Sequence, residues 1–388
     1  MNILFFMNHY PDSRNGGIEN VTKMLIQEFH RIGWCVDVAF LYESHFDHSD
    51  DSNFCDCRKV DIDNIKDEVR NWIIEKKIDV IINRCVIFAS PLLKAAIGKV
   101  ECKLITTYNN KPTLTPHTLK ELSLTQNTPI LKSFLIKALY PLFCKRSIFQ
   151  LRKRHQRSYE VSDATVLLSD YYVPEYSELM CVDSQKLVVI NNPIKNEIGI
   201  SNNDMTKKEK IILMVTRLDE TQKCILKALK IWNNIRLLED EWKLVIVGSG
   251  PDEDMIKSFT KSNRIRDVEF IQASDPTEYY KRASIFLMTS RNEGWPNTIN
   301  EAMRMGCVPI VLATFSAVYD MVDDSDNGYI VPCKDEKNDI RLVSEKLLMC
   351  MKNSTKRMEL ANNAIIKTQR LSIDKIAGNW VDLICNRD

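Results

Sequence analysis

Two glutamates with seven residues between them stand out in the stretch TSRNEGWPNTINEAMRMGCVPIV. Glu293 precedes a Trp-Pro pair, and Glu301 falls inside a short helical pattern. Pro296 suits the first position of a helix because it has no amide proton to lose, and Gly306 suits the position just past the end. The sequence therefore predicts a helix over 296–305, with one carboxylate at its mouth and the other a turn deeper.

The first amides of this predicted helix belong to Asn297, Thr298 and Ile299, and they would have no intrahelical partner. Amides at a helix start favour a phosphate or another anion. Glu301 lies four residues after Asn297 and therefore on the same helix face. We expect Glu293 and Glu301 to meet different parts of one elongated ligand.

Two cations follow an earlier apolar run, IILMVT. Arg217 comes directly after it, and Lys223 follows six residues later. If these runs are parallel strands, their carboxyl ends open onto one edge, where the cations would meet the two glutamates. A nucleotide-diphosphate sugar suits such a site: the cations and amides would hold the diphosphate, Glu301 the ribose and Glu293 the sugar.

Apolar runs that alternate with amphipathic helical patterns would position these residues. This alternation predicts an α/β protein with two doubly wound, parallel-sheet (Rossmann-like) domains. We expect domains over 1–198 and 199–372, and a final helical segment within 373–388. The strands are expected at 2–7, 36–42, 79–84, 103–108, 164–169, 186–191, 211–216, 243–248, 268–272, 284–290, 307–313 and 328–331.

Composition excludes some classes of function. The 388 residues are 44% apolar and 27% charged with a net charge of +1, which is typical of a globular protein and argues against nucleic-acid binding through global charge. The start of the chain, MNILFFM, lacks the basic region of a signal peptide, so we expect a cytoplasmic protein.

The twelve cysteines are scattered, and none forms a CxxC pair. We expect reduced, mostly structural thiols. A metal site at Cys55 and Cys57 is the lesser alternative, because neither has a His or Cys partner at zinc spacing.

Several motifs together resemble the retaining GT-B glycosyltransferases, glycosyltransferase family 4 (group 1). They are NHYPDSRNGGIENV, VVINNPI, TRLDETQK, IVGSGP, the stretch with the two glutamates, and NGYIVP. The resemblance implies two domains facing a cleft, with the final helix crossing back to the first domain. It also implies sugar transfer with retention from a nucleotide-diphosphate sugar, with no cofactor and no obligatory metal.

The resemblance also implies residue roles. Arg217 and Lys223 would neutralise the leaving diphosphate, and Glu293 would contact the donor sugar. Gly16 and Gly17 would let the first domain's backbone approach the phosphates or the acceptor. The remaining residues expected to bind substrate are Gly294, Trp295, Pro296, Asn297, Thr298 and Glu301.

Two departures from the family pattern affect these expectations. Many relatives have a histidine after the strand that here ends in Tyr108, so Tyr108 or His117 would have to replace it. The family's glycines before Arg217 and after Lys223 are Thr216 and Cys224 here, which predicts a differently shaped loop.

Residues 131–158 hold eight Lys and Arg and no acidic residue, with apolar residues between them. Such a basic amphipathic segment can lie on an anionic membrane surface. The alternative is a solvated helix whose basic face is simply in water.

Together these observations predict a metal-independent, retaining hexosyltransferase. It would act on a glycan acceptor, expected to be lipid-linked, in surface polysaccharide biosynthesis. The alternatives left open are a GT-B sugar-nucleotide epimerase, a glycan phosphorylase, and a catalytically inactive GT-B scaffold subunit.

Overall fold

The structure is a computed structural model that describes residues 1–12, 16–43, 54–113, 130–195, 205, 207–239, 241–272 and 275–385, with only the backbone described over 130–138. The described chain forms two compact units. The first contains residues 1–12 and 29–189, and the second contains 16–28 and 190–385. The predicted boundary between residues 198 and 199 lies outside the described residues.

Within the described residues, the first unit is built on a seven-stranded parallel sheet with the order β3-β2-β1-β4-β5-β6-β7. The strands are β1 (Asn2–His9), β2 (Cys35–Tyr42), β3 (Asp56–Lys59), β4 (Val80–Arg84), β5 (Lys103–Tyr108), β6 (Ala164–Leu167) and β7 (Leu187–Val189).

Helices connect these strands, as parallel pairing requires. They are α1 (Gly17–Arg31), α2 (Ile65–Lys76), α3 (Ser90–Ile97), α4 (Ile130–Val161) and α5 (Tyr172–Met180), with a 3₁₀ turn at Ile87–Ala89. The amphipathic helix α2 buries Ile65, Val69, Trp72 and Ile73 in a core shared with α3 and strands β1, β2, β4 and β5.

The second unit has a six-stranded parallel sheet among its described residues, in the order β10-β9-β8-β11-β12-β13. The strands are β8 (Glu209–Val215), β9 (Lys243–Val247), β10 (Val268–Ile271), β11 (Ala283–Met288), β12 (Val308–Ala313) and β13 (Tyr329–Pro332). Strand β11 is buried along its whole length, which explains its unbroken apolar sequence.

The helices of the second unit also separate its strands. They are α6 (Glu220–Lys223), α7 (Ile225–Ile235), α8 (Glu253–Ser262), α9 (Thr277–Arg282), α10 (Asn297–Arg304), α11 (Val318–Met321), α12 (Glu336–Lys352), α13 (Ser354–Thr368) and α14 (Ile373–Cys385), with a 3₁₀ turn at Gln369–Leu371. Trp232 on α7 is 1% exposed at the centre of this unit's core. None of the described helices is long and apolar enough to cross a bilayer.

The prediction of two doubly wound parallel-sheet domains is confirmed, and the described strands overlap all twelve predicted ones. The sequence analysis missed β3, a short edge strand with the polar sequence DCRK. The predicted helix 296–305 is α10, which begins one residue later and ends one residue earlier. Pro296 is its N-cap residue and not its first helical residue, as its ψ of 100° shows.

Gly306 ends α10 as predicted. Its φ is +73°, a left-handed conformation that glycine adopts without strain. A Cβ at this position would also meet Sδ of Met205, so a side chain here would have to displace the flexible end of that methionine.

Candidate functional site

The sheet order of the second unit fixes where a ligand would bind. Strands β8 and β11 are neighbours, and the chain leaves them toward opposite edges of the sheet. Such a topological switch point is the usual ligand site of an open parallel sheet, just beyond the carboxyl ends of the strands. Arg217 follows the end of β8 by two residues, and Glu293 follows the end of β11 by five.

The turn after β8 is held against the turn after β9 by backbone contacts. Leu218 donates its amide to the carbonyl of Ser249 (2.9 Å). A Cβ on Gly248 would lie 2.0 Å from the carbonyl oxygen of Thr216, and one on Gly250 would lie 2.5 Å from that of Leu218. The two glycines of IVGSGP are therefore required for the backbones to approach. They leave the start of the Arg217 turn in a fixed position.

Arg217 lies at the open edge of this turn, with 61% of its side chain exposed. Its Nη2 donates to Oδ2 of Asp219 (2.7 Å), and it lies 3.5 Å from Oε1 of Gln222. Asp219 in turn caps α6 by accepting the amide of Gln222. The guanidinium therefore points along the edge and is oriented by the cap of the helix that carries Lys223.

The structure brings Lys223 and Glu293 into direct contact. Nζ of Lys223 lies 2.6 Å from Oε1 of Glu293, and their side chains are only 17% and 8% exposed. A largely buried ion pair of this kind is sensitive to the loss of either member, because the remaining charge would be left in a poorly solvated place. The two residues predicted to hold opposite parts of a ligand thus hold each other in this structure.

One backbone and two side-chain hydrogen bonds align the two loops that carry this pair. Arg291 donates its amide to the carbonyl of Gln222 (2.7 Å), and Gln222 Nε2 donates to the carbonyl of Asn292 (3.1 Å). Thr289 donates its hydroxyl to the carbonyl of Cys224 (3.0 Å). These bonds connect the end of α6 to the segment after β11. They therefore hold the backbones of Lys223 and Glu293 at a distance from which the two side chains can pair.

Cys224 explains one departure from the family pattern. Its φ is +51° and its ψ is 49°, which is the left-handed conformation that a glycine would adopt readily. The turn after Lys223 therefore has a conformation that suits glycine, at a cost of about 1 kcal/mol for placing a Cβ there.

The start of α10 differs in one respect from the prediction. The amide of Ile299 is not free, because it donates to the carbonyl of Pro296 (3.0 Å). This 3₁₀-type bond tightens the first turn, so Asn297 and Thr298 supply the first-turn amides that an anion could use. Asn297 accepts a hydrogen bond through Oδ1 from Nδ2 of Asn192 (3.1 Å), which orients its side chain.

Glu301 is oriented by a tyrosine that the sequence analysis did not identify. The buried hydroxyl of Tyr280 donates to Oε2 of Glu301 (2.9 Å). Burial, together with the neighbouring Glu301 carboxylate, raises the pKa of Tyr280 well above its ordinary value, so the phenol remains a donor. Lys208 fixes the same region by donating to the carbonyls of Tyr280 and Met305.

The other residues predicted to bind substrate lie in two places, next to Glu293 and at the start of α1. Gly294 and Trp295 connect Glu293 to the N-cap Pro296, and the Trp295 ring is only 5% exposed. Gly17 begins α1, and a Cβ there would lie 3.5 Å from Nδ2 of Asn297. Gly16 precedes it, and a Cβ on Gly16 would lie 3.1 Å from the flexible carboxylate end of Glu19. Protein packing alone therefore does not force glycine at either position.

In the first unit, the strand ends carry a second group of polar residues. Tyr108 does not present its ring to solvent, because it is 6% exposed and packs against His155 and Tyr176. Asn109 is next to it and is 7% exposed, and neither polar atom of its amide has a hydrogen-bond partner among the described residues. Arg84 ends the adjacent strand β4 and is 3% exposed.

His155 was not predicted to lie beside Tyr108, because it comes from α4, far along the chain. Burial lowers its pKa to about 4, so the ring is neutral near neutral pH. The other candidate for the family's histidine, His117, lies outside the described residues.

The second half of the chain is similar to a known family of proteins. Residues 197–367 match the model of the family Glycosyl transferases group 1. An uncharacterized glycosyltransferase of Haemophilus influenzae is 30% identical over 159 residues, which cover 40% of this chain and 44% of that protein.

The GalNAc-alpha-(1->4)-GalNAc-alpha-(1->3)-diNAcBac-PP-undecaprenol alpha-1,4-N-acetyl-D-galactosaminyltransferase of Campylobacter jejuni is 25% identical over 228 residues. This match covers 58% of this chain and 61% of that protein. The chain thus spans about half the length of these curated relatives. Further relatives at 27% identity or less have names from amylovoran, capsule and lipopolysaccharide synthesis.

Among solved structures, Anabaena Alr3699/HepE in complex with UDP aligns with a TM-score of 0.76 at 13% identity, over 99% of both chains. At this identity the similarity shows the fold, and it confirms the predicted GT-B fold class.

Proposed function

We propose, from the premise that residues 197–367 form a group 1 glycosyltransferase domain, that this chain transfers a hexose-type sugar from a nucleotide-diphosphate sugar. The transfer would retain the anomeric configuration and require no metal. The acceptor would be a lipid-linked glycan in surface polysaccharide synthesis.

The observation that carries this proposal is the contact of Lys223 with Glu293 at the switch point of the second unit. An arriving diphosphate would take the ammonium of Lys223 as its partner. Glu293 would then accept hydrogen bonds from the sugar hydroxyls in place of the one from Lys223. One exchange of partners thus places the anionic and the hydroxyl-rich parts of the donor on neighbouring residues.

The same arrangement suits the chemistry of the transfer. Negative charge develops on the departing diphosphate, and Lys223, Arg217 and the amides at the start of α10 lie at the edge where it would appear. Such preorganised donors are worth more at a partly buried site than in water, and they commonly account for most of a rate enhancement. These groups would perform the charge neutralisation that other transferases assign to a divalent cation.

The acceptor side of the proposal rests on the first unit. The amide of Asn109, buried and without a described partner, is a group that a glycan hydroxyl or a phosphate could satisfy. A lipid-linked acceptor agrees with the name of the Campylobacter relative, which specifies a PP-undecaprenol glycan. The other relatives' names support a surface polysaccharide as the product.

A panel of nucleotide sugars, scored by slow donor hydrolysis in the absence of acceptor, tests this function. We expect one donor to be hydrolysed, and added Mg²⁺ or Mn²⁺ to leave its rate unchanged. An epimerase would instead return an isomeric sugar nucleotide, a phosphorylase would need inorganic phosphate, and an inactive scaffold would hydrolyse none of the donors.

Substitution of the cations tests the site itself. Arg217→Ala or Lys223→Ala should lower turnover by about 10²–10³-fold, as the removal of a preorganised charge donor does. Lys230→Ala is the matched control, because Lys230 forms an exposed ion pair with Glu336 in the same unit. Near-normal turnover of Lys223→Ala at saturating donor would exclude the proposed role.

A further inference from the structure

The first unit contains a group of thiols and a carboxylate that the proposed transfer does not use. One ligand atom each from Cys35, Asp37 and Cys55 lies within 4.8 Å of the other two. Cys35 and Asp37 are two residues apart on β2, and Cys55 immediately precedes β3. The pairing of β2 with β3 brings these residues together, because Asp37 is the register partner of Asp56.

A histidine extends this group. Nε2 of His30, in the last turn of α1, lies 4.0 Å from Sγ of Cys55. Two sulfurs and one carboxylate therefore lie together, and one imidazole nitrogen lies beside the sulfur of Cys55. These are the ligand types that zinc takes from proteins.

The buried carboxylate is an independent observation that points to a ligand. Asp37 is 2% exposed, and its Oδ1 has no hydrogen-bond partner among the described residues. Its other oxygen accepts the indole N–H of Trp72 (3.0 Å). An ionised carboxylate is costly to bury with one oxygen unsatisfied, and a cation between that oxygen and the sulfurs would remove the cost.

We propose that Cys35, Asp37, Cys55 and His30 bind a structural zinc ion at the β2–β3 edge of the first unit. Thiolates favour zinc over magnesium, calcium and manganese, and four protein ligands make the closed tetrahedral site that is typical of structural zinc. Ligand bonds of about 2.0–2.3 Å place the ligand atoms of a tetrahedral zinc about 3–4 Å apart, so the separations among Cys35, Asp37 and Cys55 need contract by about 1 Å. The imidazole of His30, 4.0 Å from Sγ of Cys55, would have to turn further toward Cys35 and Asp37 to complete the site. The Trp72 N–H would orient the Asp37 ligand, as outer hydrogen bonds do at zinc sites.

This proposal corrects the lesser alternative in the sequence analysis, which paired Cys55 with Cys57. Cys57 is not a member of the group, and its register partner on β2 is Val38. The true partners are distant in sequence, so no zinc spacing is visible there. The ion would connect the end of α1, β2 and the start of β3, and it would contribute stability to the first unit instead of chemistry to the transfer.

The test is the metal content of the full chain, expressed without a polyhistidine tag in zinc-supplemented cells and desalted before elemental analysis. We expect about one zinc per chain. Replacement by Co²⁺ should give the visible absorption of tetrahedral cobalt together with a thiolate charge-transfer band. Cys55→Ser should lose both signals, while Cys57→Ser, two residues away, should keep them.

Zinc should also raise the midpoint of thermal unfolding in the wild type and in Cys57→Ser but not in Cys55→Ser, because a ligand of the folded state alone stabilises it. Circular dichroism checks that Cys55→Ser, an exposed position, is folded. Zinc well below one per chain in the wild type, or equal binding by both serine variants, would overturn the proposal. A thiol count in reducing buffer that shows Cys35 and Cys55 still joined in a disulfide would also overturn it.

Discussion

The ion pair of Lys223 with Glu293 separates the roles of the two glutamates that first marked the site. Glu301 accepts a hydrogen bond from Tyr280, whereas Glu293 is paired with Lys223 and, on the proposed function, would compete with the diphosphate for it. The two substitutions should therefore affect nucleotide affinity in opposite directions.

We expect Glu301→Gln to weaken binding of the free nucleoside diphosphate by about 10- to 150-fold, because a charged hydrogen bond to the ribose is worth about 1.5–3 kcal/mol. Glu293→Gln should bind the same ligand as tightly as the wild type or more tightly, because Lys223 is released, yet it should transfer sugar poorly. Isothermal titration calorimetry measures both affinities. If Glu293→Gln loses the nucleotide while Glu301→Gln keeps it, the two roles are reversed.

His155 gives a prediction for pH. Its pKa in the folded chain is about 4 because of burial, against about 6.5 for a solvated histidine. Above pH 6.5 the ring is mostly neutral in both the folded and the unfolded chain, so its titration does not change the free energy of unfolding there. As pH falls from 6.5 to 4, only the unfolded chain takes up the proton. The folded state should therefore lose up to about 3 kcal/mol through this residue.

Urea unfolding of the wild type and His155→Gln at pH 7.5 and pH 4.5 tests this effect. The variant lacks the titrating ring, so its stability should fall less between the two pH values. Equal losses in both proteins would show that His155 is not buried as described.

At the scale of elements, the turns after β8 and β9 pack so closely that a side chain on Gly248 would collide with the backbone of the other turn. Gly248→Ala should destabilise the chain by several kcal/mol, because the new Cβ would collide with the carbonyl of Thr216 and the φ of +141° is open only to glycine. Gly378→Ala is the matched control, since Gly378 lies inside α14 and a Cβ there meets no described atom within 4 Å.

The control substitution should stabilise the chain by about 0.5–1 kcal/mol, as alanine does for glycine inside a helix. Urea unfolding gives both values. A Gly248→Ala variant as stable as the wild type would contradict the close approach of the two turns.

The sequence predicted the elements better than the contacts between them. Near-continuous apolar runs mark buried parallel strands, so the positions of Arg217 and Glu293 at strand ends could be derived. The polar edge strand β3 gave no such signal. Tyr280 and Lys208 orient Glu301 across the fold, and periodicity does not encode such contacts. The Lys223–Glu293 pair was missed because each residue had been assigned to a ligand and not to the other.

At the scale of the whole molecule, helix α4 contains the segment that we expect to contact an anionic membrane. Leu142 and Phe149 are 65% and 59% exposed, although both are large and apolar. Exposed basic residues lie between and beyond them on the same helix, including Lys145, Arg146 and Arg154. Arg152, in contrast, donates to the carbonyl of Leu179 and belongs to the packing of the unit.

We expect the chain to sediment with anionic vesicles and to be released as salt is raised, because each basic residue near the surface contributes about 1 kcal/mol. Replacement of Lys145, Arg146 and Arg154 by Glu should abolish this binding.

The matched control changes the same charge elsewhere in the first unit, by replacing the exposed Lys59, Lys66 and Lys99 with Glu. It should keep most of the binding. Equal and negligible binding to neutral and anionic vesicles at low salt would mean that the basic face of α4 is simply solvated.

The pairing of Lys223 with Glu293 also bears on how a catalytic cycle would end. On the proposed function, Glu293 would lose the sugar hydroxyls once the sugar has moved to the acceptor, while the spent diphosphate would still occupy Lys223. Re-forming the 2.6 Å pair would then favour release of the diphosphate. The intact donor would satisfy both residues and the product only one, so the resting contact would selectively weaken product binding.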